Sequence, residues 1–346
     1  MLFNTAAVAL LAGVASAAPA FPRRNDLAST VAGNKNGTNS SSTPSGDFKS
    51  VVYWGQSQNK PLADVCKENV DTVVMAFVNK YGNETKGGEA VANPGWLCLT
   101  NGTEQWEKDA CSDLGKNVSS CQAAGKKVLM SVGGWIDYSV MKDGDGKKLG
   151  ESLWEQYAEK GDKNVLGGAT LDGFDFDIEH DNSHDKLAGY VDAIKALRSK
   201  MGGKSDKIIS GAPMCVAADN KGTPNVMTTL MKEGQFDELY FQMYNNPGCS
   251  ANDADGAAKA WDGWYNELQT GASKGAKMYF GLLGDKGATT LPEYYIDEAK
   301  TVSLLNKMRS HKGFAGAMVW DAGYSMNNTQ PAGNYLDSVA KGLGRK

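Results

Sequence analysis

Histidine is scarce in this chain: His180, His184 and His311 are the three among 346 residues. His180 and His184 have i, i+4 spacing, but the residues between them do not form HExxH. No two of the six cysteines have the C-x₂₋₄-C spacing of a zinc cluster. No metal site is expected, and the histidines read as solvated loop residues. Positive charge is also not in excess. The net charge of −4 argues against a nucleic-acid partner, which would favour a basic surface. Gly203-Lys204-Ser205 lacks the upstream glycine of a phosphate loop, because Arg198 stands there. Gly144-Asp145-Gly146 lacks the dinucleotide-binding continuation. No nucleotide or other cofactor is expected.

Long apolar runs are missing as well. The run from Ala6 to Val14, followed by Ala15-Ser16-Ala17, is too short to span a bilayer. It reads as a secretory signal peptide over 1–17, although Met1-Leu2-Phe3-Asn4 carries no Lys or Arg. Residues 18–47 read as a flexible leader, with Arg23-Arg24 as a dibasic processing site. A secreted, extracellular protein with no membrane partner is expected. Sequons stand at Asn36, Asn39, Asn83, Asn101, Asn117 and Asn327 as candidate glycosylation sites. An even cysteine count in a secreted chain favours disulfides but leaves the pairing of Cys66, Cys98, Cys111, Cys121, Cys215 and Cys249 open.

Residues 48–346 suffice for one large core. Eight strand-like runs recur at 51–54, 72–78, 128–132, 174–179, 208–212, 239–244, 278–282 and 315–320. Several are continuously apolar, as strands buried on both faces are. Helix-like stretches lie between them, for example 187–197 and 295–305. Eightfold strand–helix alternation predicts an α/β fold of the (β/α)₈ TIM-barrel class. The gap of about thirty residues before the last strand fits an ordinary loop and helix, so a single domain without a large insertion is expected.

The fourth run carries the densest chemistry: Asp172-Gly173-Phe174-Asp175-Phe176-Asp177-Ile178-Glu179. Side chains alternate along a strand, so Asp175, Asp177 and Glu179 share one face and Phe174, Phe176 and Ile178 the other. Acids about 7 Å apart in a shielded site resist ionising together, so one keeps its proton more readily. A retained carboxyl proton is what protonating a glycosidic oxygen requires. Asp172 falls outside the row and reads as structural. Other strand ends carry Tyr53-Trp54-Gly55-Gln56, Ser131-Val132-Gly133-Gly134-Trp135, Gln242-Met243-Tyr244-Asn245 and Trp320-Asp321. Aromatic faces and amides at one barrel mouth suit a sugar.

The eight-residue acidic pattern resembles the DxxDxDxE signature of family 18 glycoside hydrolases. YWGQ, SVGG, DGFDFDIEH, QMYNNPGC and Trp320 together resemble the hevamine-like, class III branch of its chitinases. The resemblance implies a monomeric endochitinase acting on chitin or chito-oligosaccharides by substrate-assisted retention. By it Glu179 is the general acid, Asp177 holds the substrate's acetamido group, Asp175 shares a proton with Asp177, and Tyr244 fixes the acetamido geometry. Trp320 is implied as the floor under the sugar, with Tyr53, Gln56, Asn79, Gln242 and Asn245 as sugar contacts. It also implies the disulfides Cys66–Cys121, Cys98–Cys111 and Cys215–Cys249. Trp135 departs from the smaller residue of the plant members, so their cleavage preference is not transferred. Rival readings are an endo-β-N-acetylglucosaminidase acting on N-glycans and a non-catalytic lectin or inhibitor on the same barrel.

Overall fold

The computed structural model describes residues 47–57, 60–82, 85, 88–96, 98–135, 141–179, 184–204, 206–216 and 226–345. The expected signal peptide, most of the leader, Asn36, Asn39, Asn83 and His180 lie outside the described residues. Nine strands form the main sheet: β1 Lys49–Trp54, β2 Thr72–Gly82, β3 Gly88–Ala92, β4 Lys127–Gly133, β5 Gly173–Asp177, β6 Ile208–Gly211, β7 Glu238–Gln242, β8 Lys277–Leu283 and β9 Phe314–Trp320. Their order is β1-β9-β8-β7-β6-β5-β4-β2-β3, and β1 also pairs with β2. Eight parallel strands therefore close on themselves, while β3 runs antiparallel on the long β2. This is the (β/α)₈ barrel. Closure pairs both edges of every barrel strand, so no barrel strand is left open to edge-to-edge association.

The strand parity sorts the core into two layers. Phe174, Phe176 and Ile178 face outward among the helices, packed with residues such as Leu197, Leu230 and Phe236. The inner layer holds Val51, Tyr53, Val74, Leu129, Tyr240, Tyr279 and Met318. A fully buried Phe contributes roughly 2–3 kcal/mol of transfer free energy. Phe174 and Phe176 are both completely buried, so the outward face anchors β5 while its inward face carries the acids. Four of the helices begin where a side chain, that of Asp253, Asp297, Asp321 or Asn334, accepts an orphan amide. Asp297 accepts from Lys300 N and starts the helix Glu298–Met308, three residues later than the apolar periodicity suggests. The periodic stretch at 187–197 lies within the helix His184–Met201.

Three disulfides join Cys66–Cys121, Cys98–Cys111 and Cys215–Cys249, the pairing implied by the family resemblance. Between β8 and β9 stand two short 3₁₀ turns and one helix, so no domain is inserted there. β3 is the strand of the main sheet that the strand pattern does not predict. Among the described residues no helix is long and apolar enough to cross a membrane.

Candidate active site

At the carboxyl end of the barrel, β5 aims Asp175 and Asp177 inward. Asp175 is fully buried and Asp177 is 3% exposed. β5 itself ends at Asp177, so Glu179 stands just past the strand, rather than within it as the alternation suggests.

Asp175 lies in register with Ser131 on β4 and Ser210 on β6. Neighbouring residues in parallel strands share a face, and both hydroxyls reach the carboxylate: Ser131 donates at 2.6 Å and Ser210 at 2.7 Å. The Tyr53 hydroxyl donates from β1 at 2.7 Å. Burial raises the Asp175 carboxyl above its ordinary range, and the three hydroxyls oppose that rise. Three converging donors favour the anion, which leaves the protons of the row to Asp177 and Glu179. Asp177 is held well above the usual carboxylate range, first by burial and then by facing Glu179 and Asp175. Burial pushes the Glu179 carboxyl up to about 7. At neutral pH this row can both hold and release a proton, as general acid–base chemistry demands.

The site residues expected from sequence divide by position. Tyr53 is 1% exposed and commits its hydroxyl to Asp175, behind the acid row. Gln242 donates its amide to Asp177 at 2.9 Å and to the Ala212 carbonyl at 3.2 Å, so it too braces the row. Gln56 donates to the Gly55 and Ala76 carbonyls. Tyr244 is 5% exposed. Burial and the nearby Asp177, Glu179 and Asp321 hold its phenol well above its ordinary value, so it remains a hydroxyl donor. Asn79 is half-buried on the upper part of β2, and Asn245 is exposed. The Asn245 side-chain oxygen accepts from the Thr289 hydroxyl at 2.7 Å.

Trp320 is partly buried at the end of β9, stacked on Phe77 with centroids 5.9 Å apart. Tyr53 packs against it at 5.6 Å. Phe77 and Asp321 stand at strand ends without a role assigned from sequence, and Ser210 was not singled out. Ser210 left one signal, a lone hydroxyl inside the apolar run of the fifth barrel strand. Asp321 is 1% exposed and takes the Ser57 hydroxyl at 2.5 Å and the Tyr324 amide at 3.2 Å. Burial raises it to about 6.

Gly133 and Gly134 explain the SVGG motif. Their φ values are 106° and 82°, a region that favours glycine. A Cβ on Gly133 would stand 2.4 Å from the Asp177 carbonyl oxygen, and one on Gly134 would stand 2.7 Å from the Phe77 ring. The Gly134 amide donates to that same Asp177 carbonyl at 2.7 Å, so the glycine pair locks the end of β4 to the acid strand. Trp135 follows directly and is 64% exposed. Asp172 accepts from Gln122 and from the Val128 amide, both at 2.8 Å, the structural role its place outside the row suggests. Among the described residues no group of three or more His, Cys, Asp or Glu is arranged to hold a metal ion.

Comparison with known proteins gives a concordant result. The model of the glycosyl hydrolases family 18 matches residues 49–273. Endochitinase 2 of Metarhizium robertsii is 31% identical over 315 residues, covering 84% of this chain and 72% of that protein. Endochitinase A of Emericella nidulans is 30% identical over 316 residues, covering 84% of this chain but 31% of that longer protein. Among solved structures, the xylanase and alpha-amylase inhibitor XAIP-II of Scadoxus multiflorus aligns with a TM-score of 0.67 and 27% identity, covering 87% of this chain and 100% of that one. The ICChI chitinase of Ipomoea carnea aligns with a TM-score of 0.67 and 22% identity, covering 85% and 99%; at that identity it speaks to the fold alone.

Proposed function

The chain belongs to family 18 of the glycosyl hydrolases, and on that premise we propose that it is a secreted endochitinase cleaving β-1,4-linked N-acetylglucosamine polymers with retention. One observation carries the reading: a buried carboxyl row whose outermost member, Glu179, is pushed up to about 7. Glu179 donates its proton to the glycosidic oxygen, and the bond to the anomeric carbon breaks. The substrate's own acetamido oxygen attacks that carbon and forms an oxazolinium ion. Asp177 holds the acetamido N–H and stabilises the positive charge, while Gln242 keeps Asp177 in place. As that charge develops, the proton that Asp177 carries at rest passes to Asp175, which leaves Asp177 the anion beside the oxazolinium ion. The Tyr244 hydroxyl orients the acetamido group. Glu179, now a carboxylate, takes a proton from the water that opens the ring and restores the row. Trp320, backed by Phe77, forms the apolar floor under the sugar. The absence of an inserted domain between β8 and β9 supports a shallow, open groove and with it internal cleavage. The three disulfides support an oxidising, extracellular location.

The relationship to XAIP-II keeps one rival in view, a non-catalytic binder on the same barrel. Binding alone needs no retained acid, and the row from Asp175 to Glu179 is complete. The test is hydrolysis of a chitin hexamer by wild type and by Glu179→Gln, with product anomers resolved at once. Prompt β-anomers from wild type, lost in the variant, are expected. A folded wild type that binds the hexamer without cleaving it would replace this reading with the lectin or inhibitor one. Release of N-glycans from a glycoprotein, with no action on the hexamer, would favour the endo-β-N-acetylglucosaminidase instead.

A further inference from the structure

Two side chains at the mouth of the barrel, Ser57 and Asp321, have no part in the mechanism above, yet they close its seam. β1 lies between β9 and β2. Its pairing with β9 runs from Lys49–Gly316 to Val52–Val319 and ends there, while its pairing with β2 continues to Trp54–Met75. Trp320 therefore stands one residue past the last β1 partner of its strand. On the other side it is still paired, with Leu283 of β8, and its carbonyl accepts the Gly284 amide at 2.7 Å. The ladder holds Trp320 on its β8 side and has run out on its β1 side.

Side chains take over where the ladder stops. The Ser57 hydroxyl, just past β1, donates between the two side-chain oxygens of Asp321, each at 2.5 Å. Gln56, the residue before, donates to the Ala76 carbonyl of β2 at 2.8 Å. Two consecutive side chains thus reach the strands on either side of β1, one bonding the neighbour of Trp320 and the other the neighbour of Phe77. These are the two rings that stack, with planes 22° apart. Asp321 is also held from behind. Its side chain accepts the Tyr324 amide at 3.2 Å and its carbonyl the Ser325 hydroxyl at 2.7 Å, both from the helix Ala322–Asn327. A displacement of about 1 Å at a reacting centre can cost about 10²-fold in rate, so the plane of a sugar floor matters as well as its presence.

We propose that Ser57 and Asp321 are positioning residues for the reaction: their hydrogen bond ties the end of β9 to the end of β1 and holds the Trp320 indole stacked on Phe77. The proposal rests on Trp320 being the sugar floor of the activity proposed above. Ser57 acts through Asp321 and the indole rather than on the substrate.

Ser57→Ala isolates the bond, because it leaves the Tyr324 amide on Asp321 and the start of that helix in place. Two measurements on the full chain follow it. In the free protein, proton NMR contacts between the Trp320 and Phe77 rings report the stacking without any substrate. They are expected to weaken, while those of the stacked pair Trp261 and Phe280, also 5.9 Å apart, stay unchanged. On the chitin hexamer, Ser57→Ala is expected to lower kcat/KM by about 5–50-fold. In a Trp320→Ala background the same substitution is expected to cost less than about twofold. Ser57→Gly also lacks the hydroxyl and gives both measurements if Ser57→Ala does not fold. Unchanged contacts between Trp320 and Phe77, or an equal rate loss with and without Trp320, overturns the proposal. A wild type inactive on the hexamer defeats the proposed activity, and the ring contacts then still decide whether the bond positions Trp320.

Discussion

The two faces of β5 are buried to almost the same degree and have opposite consequences. Phe174 and Phe176 look outward with no exposed surface, and Asp175 and Asp177 look inward with 0% and 3%. Removing a phenyl ring from water stabilises the fold. Removing a carboxylate costs free energy unless donors surround it or it keeps its proton. Asp175 takes the first course, with three hydroxyls. Asp177 and Glu179 take the second. Burial thus produces stability on one face and acid chemistry on the other, and the outward face offsets the cost of the inward one.

This contrast breaks if substitutions on the two faces act alike. The largest expected effect is on the inward side. Glu179→Gln should lower kcat by about 10²–10⁴, measured on chitin oligomers. The same change should stabilise the fold. The Glu179 carboxyl lies at about 7 against an ordinary 4.5, so its protonated form supports the fold at low pH. That support fades as pH rises from about 4.5 through 7. Denaturant titration above pH 8 should therefore find the variant more stable by about 1–3 kcal/mol; a less stable variant would sink the account of the inward face.

The outward counterpart is Phe176→Ala. Its ring packs edge-on against Phe236 with centroids 6.4 Å apart. A loss of about 3–5 kcal/mol is expected, with activity per folded molecule kept within about tenfold. Activity lost in full from a folded variant would show that the faces are not separable.

Smaller shifts sharpen the comparison. Wild-type cleavage should decline above about pH 7, as Glu179 loses its proton. Tyr53→Phe removes one of the three donors to Asp175 and makes its anion harder to keep. The acid limb of the rate profile should rise by about 0.5–1 pH unit, and a fall would contradict the donor assignment. Smallest of all, Asp172→Asn should cost no more than about 1 kcal/mol and leave the pH profile unmoved, because its partners are Gln122 and the Val128 amide.

Much of this was legible in the chain. Alternation alone separates Asp175, Asp177 and Glu179 from Phe174, Phe176 and Ile178, and the structure keeps that parity. The eight recurring apolar runs became the eight barrel strands. What alternation cannot say is where a strand stops, so Glu179 was read inside β5 although it lies beyond it. β3 escaped notice because it pairs with an extension of β2 rather than adding to the barrel.

The working details come from register, which relates residues far apart in sequence. Ser131 and Ser210 meet Asp175 because parallel pairing sets them level with it on either side. Gln242 and Tyr53 read as sugar contacts from their motifs, and closure of the barrel turned both onto the acid row. Periodicity is local, so the amino-acid order alone settled the fold class and the face on which the acids stand. Hydrogen-bond partners and burial arise between strands, so only the closed barrel decided which acid is braced as an anion and which is left holding its proton.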